Sequence, residues 1–314
     1  MWNLIECKGH PRDLGFEQGL ALRSVIRQQA DQAGLSARRS RWPSLSAFAS
    51  GSVRGSGRPR EMIRHFTHLS ERADGLARGA GIPVDSLLRL QENPGNEKGD
   101  ALGLCAMELE GAPGASLVWA LAGSPGLVRR SRPEVGFSSL EVTQPWSVSA
   151  LAGINETGLA ACIVPGRADS SPPVVEPDSP SAGCASVGLL VQECLQRFED
   201  VEAGMGWCLD RPVSGEGTIL LADRAGQRGA VHFSREACHG ERAQEGPLLA
   251  GGSESARESL RAWSLSEPGS NREPLGRVLG GQVGSTGVRL VCAERKFEVV
   301  EGEGQGPMLS LRAD

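Results

Sequence analysis

The 314-residue sequence is poor in several features that mark common functional classes. It contains no Tyr, aromatic residues make up only 4% of it, and three of its 33 basic residues are Lys. The net charge is −5 and the two signs are mixed along the chain, which argues against a nucleic-acid-binding surface. No apolar run approaches the roughly 18 residues that a membrane-spanning helix requires. We therefore expect neither a nucleic-acid partner nor a membrane segment.

Paired cysteines, which usually form zinc sites, are also missing. The eight cysteines at positions 7, 105, 162, 184, 194, 208, 238 and 292 include no Cys-x-x-Cys pair. In a chain of this length that pattern favours free thiols in a reducing compartment, so we predict a cytoplasmic protein without a disulfide framework or a metal site. The segment 251–255 lacks the Lys of a phosphate-binding loop, and no cofactor is expected.

The N-terminal third of the chain is mainly helical in pattern. A helix is predicted to begin at Pro11, with Gly15 and Gly19 on one face where another element can approach closely. A second helical segment over residues 60–79 carries His65 and His68. These two histidines lack a clear set of further ligands nearby, so a packing or surface role is preferred to metal binding.

Residues 101–164 predict two strand pairs. Cys105 stands at the start of an apolar run, and the second pair turns at residues 155–158, Asn-Glu-Thr-Gly. Another hairpin is predicted over 217–233 and an amphipathic helix over 187–198. The order of helices, strands, helices and strands indicates an α+β protein in layers.

Several segments together resemble the penicillin acyltransferase family of N-terminal-nucleophile hydrolases. Residues 9–19 are similar to the family's opening Gly-x-Pro-Arg-x-x-Gly-x-x-x-Gly, and residues 75–83 to its Gly-Ile-Ala-x-Gly-Ala-Gly block. Residues 153–159 match Gly-x-Asn-Glu-x-Gly-Leu, which is shared with bile salt hydrolases. Residues 221–226 and 253–257 match later landmarks, so the resemblance covers most of residues 5–265.

This resemblance implies an α+β fold, the αββα sandwich of the N-terminal-nucleophile hydrolase type. Residues 1–314 would form a single domain in which 1–104 are a helical lead-in or propeptide and 105–314 carry the nucleophile. The precursor would cut its own chain between Leu104 and Cys105, so that the new α-amino group becomes the general base for the thiol.

The resemblance also implies the chemistry and its residues. The Cys105 thiolate would attack a small amide or acyl substrate and form an acyl-enzyme, which water or an amine then resolves. Asn155 would contribute to the oxyanion hole. Arg257 would orient the site electrostatically.

Some positions depart from the family pattern. Ala106 follows Cys105 where the family has Thr, and residues 120–126 contain no acid to hold the new amine. Residues 249–252 stand where an Asn-His segment is usual. Losing one oxyanion donor or orienting group typically lowers the rate by about 10²–10³. The alternative is therefore a catalytically inactive relative that keeps the fold for binding or scaffolding.

Each named residue also has a purely structural interpretation. Cys105 could be a core thiol that opens a buried strand. Asn155 could be a hairpin residue that tolerates a positive φ before Gly158. Arg257 could be one more surface residue of an Arg-rich chain. The sequence leaves these interpretations open.

Overall fold

The computed structural model describes ten stretches of the chain, residues 2–35, 65–92, 101–107, 114–121, 127–166, 185–234, 237–251, 254–265, 287–300 and 309–314. The helices are α1 (Pro11–Ala21), α2 (Arg23–Gln32), α3 (Thr67–Ala80), α4 (Val84–Glu92), α5 (Leu189–Arg197), α6 (Val201–Leu209) and α7 (Glu254–Leu265). The strands are β1 (Asn3–Gly9), β2 (Ala101–Met107), β3 (Ala115–Leu121), β4 (Leu127–Pro133), β5 (Ser139–Val142), β6 (Ala152–Asn155), β7 (Ala160–Pro165), β8 (Ala185–Ser186), β9 (Val213–Ser214), β10 (Gly217–Ala222), β11 (Arg228–Phe233), β12 (Cys238–Arg242), β13 (Leu248–Gly251), β14 (Gly287–Val291), β15 (Lys296–Val300) and β16 (Leu309–Arg312).

Most of these strands belong to two sheets. The larger sheet has eight strands in the order β1-β4-β5-β6-β7-β10-β11-β12 and is antiparallel except where β1 pairs with β4. The smaller sheet has six antiparallel strands in the order β13-β2-β3-β14-β15-β16. The predicted hairpins are confirmed at β2–β3, β6–β7 and β10–β11.

Alternating apolar side chains set the order of the layers. The inner faces of the two sheets share one core, in which Ile154 and Leu220 of the larger sheet pack with Leu117 of the smaller. Ile163 faces the opposite side of the larger sheet, in a core shared with helices α2 to α6. Leu260 of α7 packs on the outer face of the smaller sheet. The described residues thus stack as helices, sheet, sheet and helix, which confirms the predicted α+β class and αββα sandwich.

Glycines let α1 and α3 come into contact along their backbones. The four are Gly15 and Gly19 of α1 and Gly75 and Gly79 of α3. A Cβ on Gly15 would overlap the carbonyl oxygen of Arg72, and the other three glycines meet backbone atoms in the same way. The predicted close approach at Gly15 and Gly19 is therefore confirmed, and its partner is the second glycine motif.

Residues before Cys105 contribute strands as well as helices. β1 forms one edge of the larger sheet through a seven-residue parallel pairing with β4. Residues 101–104 form the first half of β2, inside the smaller sheet. Within the predicted lead-in over residues 1–104, the described residues thus contribute a strand to each sheet.

Candidate functional site

Cys105, the predicted nucleophile, lies in the middle of a strand. The sequence placed it at the head of a strand, but β2 begins four residues earlier at Ala101. Cys105 pairs with Leu117 of β3 on one side and with Leu248 of β13 on the other. The expected position at a strand start was wrong, because the apolar run extends through residues 101–104 and hydrogen-bonds as one strand.

The surroundings of the Cys105 thiol are almost entirely apolar. The residue has 0% exposure and belongs to the core between the two sheets. Its Sγ donates a long hydrogen bond of 3.7 Å to the carbonyl oxygen of Leu221. Burial raises the pKa of this thiol well above its ordinary value, and Cys162 nearby adds to that rise while Arg228 opposes it. The protonated thiol is the stable form, and it is a poor nucleophile.

Both polar atoms of the Asn155 side chain, the predicted oxyanion donor, form hydrogen bonds with other groups of the protein. Its Oδ1 accepts from the backbone N–H groups of Thr157, Gly158 and Leu159 at 2.9–3.1 Å and from the Thr157 hydroxyl at 2.7 Å. Its Nδ2 donates to the carbonyl oxygens of Leu195 and Phe198 at 3.0 and 2.9 Å. Asn155 therefore closes the β6–β7 turn and caps the C-terminal end of α5.

The turn that Asn155 closes depends on glycine. Gly158 has a φ of +96°, and a Cβ there would lie 2.6 Å from the carbonyl oxygen of Cys292. A side chain at this position would meet both backbone strain and a clash. The Asn-Glu-Thr-Gly motif thus has a complete structural explanation in hydrogen bonding and packing.

Arg257, the third predicted residue, is half-buried on α7. This helix lies on the outer face of the smaller sheet, where Leu260 packs against Leu102 and Leu104. Cys105 points from the same sheet into the inner core. Arg257 and Cys105 therefore belong to different layers.

The structure does not bring the three predicted residues together. Cys105 lies between the sheets, Asn155 reaches the helices on the other side of the larger sheet, and Arg257 belongs to the helix outside the smaller sheet. A nucleophile and an oxyanion donor must face one reacting atom about 3 Å from each. The layers that separate these side chains do not provide such a point.

A buried polar network around Arg129 and Glu141 was not predicted from the sequence. The Arg129 guanidinium contacts the Glu141 carboxylate at 2.6 Å, and both side chains have 0% exposure. Gln18 and Gln192 accept hydrogen bonds from Arg129 at 2.7 and 2.8 Å. Although burial opposes ionisation of Glu141, the charges of Arg129 and Arg72 hold the pKa of this carboxyl below its ordinary value. The network joins α1 and α5 to strands β4 and β5, and its role is to stabilise the packing of these elements.

Arg72 enters the same region from α3. It has 1% exposure and donates to the Ser131 hydroxyl at 3.0 Å. Burial and the neighbouring Arg129 lower the pKa of its guanidinium to about 9, so it stays charged at neutral pH. No sequence pattern predicts this role, because one Arg among thirty cannot be singled out as buried.

Histidines form two further clusters. His68 contacts the buried Glu193 carboxylate at 2.6 Å, and its own side chain is 32% exposed, in line with the packing or surface role predicted for it. On the larger sheet, Thr218 Oγ1 lies 3.0 Å from His232 Nδ1, and His232 Nε2 lies 3.2 Å from Glu241 Oε2. Thr218 and His232 are opposite each other in the β10–β11 ladder, and cross-strand hydrogen bonding accounts for their contact.

The described ranges contain neither a cluster of metal-binding side chains nor a membrane-spanning helix. No group of three or more His, Cys, Asp or Glu side chains there is arranged to hold a metal ion. No helix among the same residues is both long and apolar enough to cross a membrane.

Solved structures with a similar shape include two kinds of enzyme. Penicillin V acylase from Agrobacterium tumefaciens aligns at 15% identity over 63% of this chain and 82% of its own, with a TM-score of 0.39. A variant of conjugated bile acid hydrolase from Clostridium perfringens aligns at 9% identity over 67% of this chain and 92% of its own, with a TM-score of 0.40. No family model and no curated sequence is similar enough to this chain to count as a match.

The resemblance to N-terminal-nucleophile hydrolases is one of fold. It is established by the helix, sheet, sheet, helix order of the described residues and by the strand pairings within it. Similarity at these identities and TM-scores adds nothing to that conclusion and says nothing about activity.

Proposed function

We propose that this chain is a catalytically inactive relative of the acylases that it resembles, and that it keeps the αββα fold for binding or scaffolding. The observation that carries the proposal is the position of Cys105, which has 0% exposure in the middle of an interior strand. An N-terminal nucleophile acts as a chain end beside its own amine, so activity at this position would require the strand to be cut before Cys105.

The electrostatics of the thiol support the same conclusion. Burial raises the pKa of Cys105 well above its ordinary value, and the acceptor of its S–H is a backbone carbonyl at 3.7 Å. A carbonyl cannot take the proton that a nucleophilic attack releases. The thiolate is therefore scarce at neutral pH, and thiolate is the reactive form.

Self-cleavage before Cys105 would have to disrupt a paired strand. Residues 101–107 pair with β3, and residues 102–105 pair with β13 on the other side. Leu102 and Leu104 are also buried against α7 and β3, at 1% and 0% exposure. The peptide bond between Leu104 and Cys105 thus lies inside a two-sided ladder, where it is held by packing on both faces.

The second candidate function is a cysteine amidohydrolase or acyltransferase that becomes active after self-cleavage. One observation favours it: Cys105 lies on an interior strand of the smaller sheet and faces the other sheet, inside the αββα sandwich that the motif resemblance implies. Cleavage would convert Cys105 into a chain end whose amine serves as base for attack on a small acyl or amide substrate. Asn155 and Arg257 would then have to move toward it.

The free cysteines are consistent with a reducing compartment for either function. All seven described cysteines are free, which suits the cytoplasm proposed from the sequence.

Intact mass separates the two functions. The purified chain is incubated for days at neutral pH, and its mass is compared with that of a Cys105→Ala variant. We expect both proteins to remain single chains. Fragments ending at Leu104 and starting at Cys105 in the wild type alone would overturn the inactive assignment.

Hydrolysis assays complete the comparison. Penicillin V and a glycine-conjugated bile acid serve as substrates, and Cys292→Ala serves as a matched control because Cys292 is another buried thiol of the same core. We expect wild type, Cys105→Ala and Cys292→Ala to be equally inactive. Turnover by wild type that is lost in Cys105→Ala and kept in Cys292→Ala would establish the amidohydrolase instead.

A further inference from the structure

Two cysteines from different helices are in direct contact in the outer helical layer. Cys194 of α5 and Cys208 of α6 have their Sγ atoms 3.5 Å apart, and both residues have 0% exposure. They are 14 residues apart in the chain, so the contact is tertiary. We propose that Cys194 and Cys208 are a redox-active pair that closes to a disulfide and locks α5 to α6.

The helices approach closely where the two thiols meet. Gly204 lies one turn before Cys208 on α6, and a Cβ built on it would be 3.8 Å from Cys194 Sγ. The backbone of α6 therefore runs directly over the Cys194 side chain. A disulfide requires its sulfurs to be about 2.05 Å apart. Closing the remaining 1.5 Å or so requires side-chain rotation or a small shift of one helix.

The ends of both helices are fixed, which keeps the thiols opposite each other. Asn155 binds the carbonyl oxygens of Leu195 and Phe198 at the end of α5. Asp223 accepts a hydrogen bond of 3.0 Å from the backbone N–H of Val201 at the start of α6. Since each helix is anchored to a hairpin of the larger sheet, the sulfur–sulfur contact is set by the fold.

The reduced pair is protected while the helices stay packed. The hydrogen bond with Cys208 and burial both raise the pKa of Cys194, so its thiolate is scarce while α5 and α6 remain packed. Exchange then requires a local opening of the helical layer. A transient opening of this kind lets a small oxidant in without unfolding the sheets.

A low-molecular-weight disulfide such as oxidised glutathione supplies the oxidising equivalents. One protein thiolate attacks a sulfur of the reagent, so that a mixed disulfide forms and one glutathione thiol leaves. The second protein thiolate then attacks the mixed disulfide at the protein sulfur and releases the second glutathione thiol. In sum, two protein thiols are oxidised to one disulfide and one reagent disulfide is reduced to two thiols.

The experiment uses the full chain, first reduced and desalted, then held in oxidised glutathione with and without a urea concentration below the unfolding transition. Free thiols are blocked with N-ethylmaleimide and the disulfide is located by tandem mass spectrometry of proteolytic fragments. We expect one bond, between Cys194 and Cys208, which dithiothreitol reverses. We also expect the oxidised protein to melt roughly 5 °C higher, as a loop of this size predicts for a chain of 314 residues.

Variants separate the proposed pair from other thiols. Cys238 is exposed on β12, and Cys238→Ser is the matched control that should keep the bond. Cys194→Ala and Cys208→Ser should each abolish both the bond and the rise in melting temperature. Two maleimide adducts on Cys194 and Cys208 after oxidation in sub-denaturing urea would overturn the proposal, as would a bond that involves Cys184 or Cys238.

Discussion

Replacement of Asn155 by Ala tests whether this motif residue stabilises the folded state. Its side chain has 0% exposure and takes part in six hydrogen bonds, four accepted by Oδ1 and two donated by Nδ2. The variant would remove the side-chain partner of two carbonyl oxygens at the end of α5 and of the Thr157 and Leu159 N–H groups, whereas the Gly158 N–H also donates to the backbone carbonyl oxygen of residue 155. Each buried unsatisfied group costs about 1–3 kcal/mol, although the costs do not add fully.

We therefore expect Asn155→Ala to lose about 3–5 kcal/mol of the free energy of unfolding. That is a large part of the 5–15 kcal/mol typical of folded proteins, and in a chain of 314 residues it should lower the melting temperature by roughly 5–8 °C. Urea unfolding followed by circular dichroism measures the loss. Thr157→Val is a matched control in the same turn, since it removes only the 2.7 Å hydroxyl contact and should cost about 1 kcal/mol.

A different outcome would refute the reasoning. If Asn155→Ala melted within 2 °C of the wild type, the six hydrogen bonds would not hold the hairpin to α5. If the same variant also lost a measurable hydrolysis activity, Asn155 would be an oxyanion donor and the catalytic interpretation would be restored.

Three further predictions follow from packing and charge. Gly15→Ala should separate α1 from α3 and cost at least about 3 kcal/mol in a urea unfolding assay, whereas Gly206→Ala, with open space around it, should be neutral or stabilising by about 1 kcal/mol. Burial raises the folded-state pKa of Cys105, so the stability that this thiol provides is complete below its unfolded pKa of about 8.5 and falls as pH rises above it. The loss approaches 1.4 kcal/mol per pH unit, and Cys105→Ala should remove that part of the slope measured between pH 8 and 10. The folded-state pKa of Glu141 is lowered, so its stabilisation is present above an unfolded pKa of about 4.3 and is lost as pH falls below it; Glu141→Gln should remove this acid dependence and cost about 3–5 kcal/mol at pH 7 in the same assay, because Arg129 loses its buried counter-charge.

The sequence predicted elements wherever a pattern had one explanation. Gly15 and Gly19 indicated a close helix contact because glycines four apart on a helix leave a flat face. The turn at residues 155–158 and the hairpin at 217–233 were recognisable from turn residues between alternating apolar strands. These local signals also predicted α+β layers, since helices and strands came in separate blocks.

The position of Cys105 within its strand could not be read in the same way. β2 is an interior strand buried on both faces, with Leu102 and Leu104 toward α7 and Cys105 toward the larger sheet. Such a strand is apolar at every position and has no period that marks where it begins. The start at Ala101 is set by pairing with Leu121, which is a long-range contact.

The burial of Arg129 and Glu141 could not be predicted from the sequence for a related reason. Arg129 and Glu141 lie 12 residues apart on neighbouring strands, and they meet only when β4 and β5 pair. Each looks like a solvent-facing residue in an alternating strand. Their burial depends on Gln18 and Gln192, which arrive from α1 and α5 and complete the hydrogen bonds.

The residues that carry the family resemblance form contacts that connect helices and strands. Gly15 and Gly75 belong to two separate motifs, and each faces the backbone of the other's helix: Gly15 faces Arg72 of α3, and Gly75 faces Arg12 of α1. Asn155 ties one hairpin to the end of α5, and Asp223 ties another to the start of α6. Each of these contacts stabilises the layers whether or not a reaction takes place. Such residues can persist in a chain whose predicted nucleophile lies inside a strand. These motifs therefore predict the αββα sandwich, whereas catalytic activity depends on the surroundings of the Cys105 thiol.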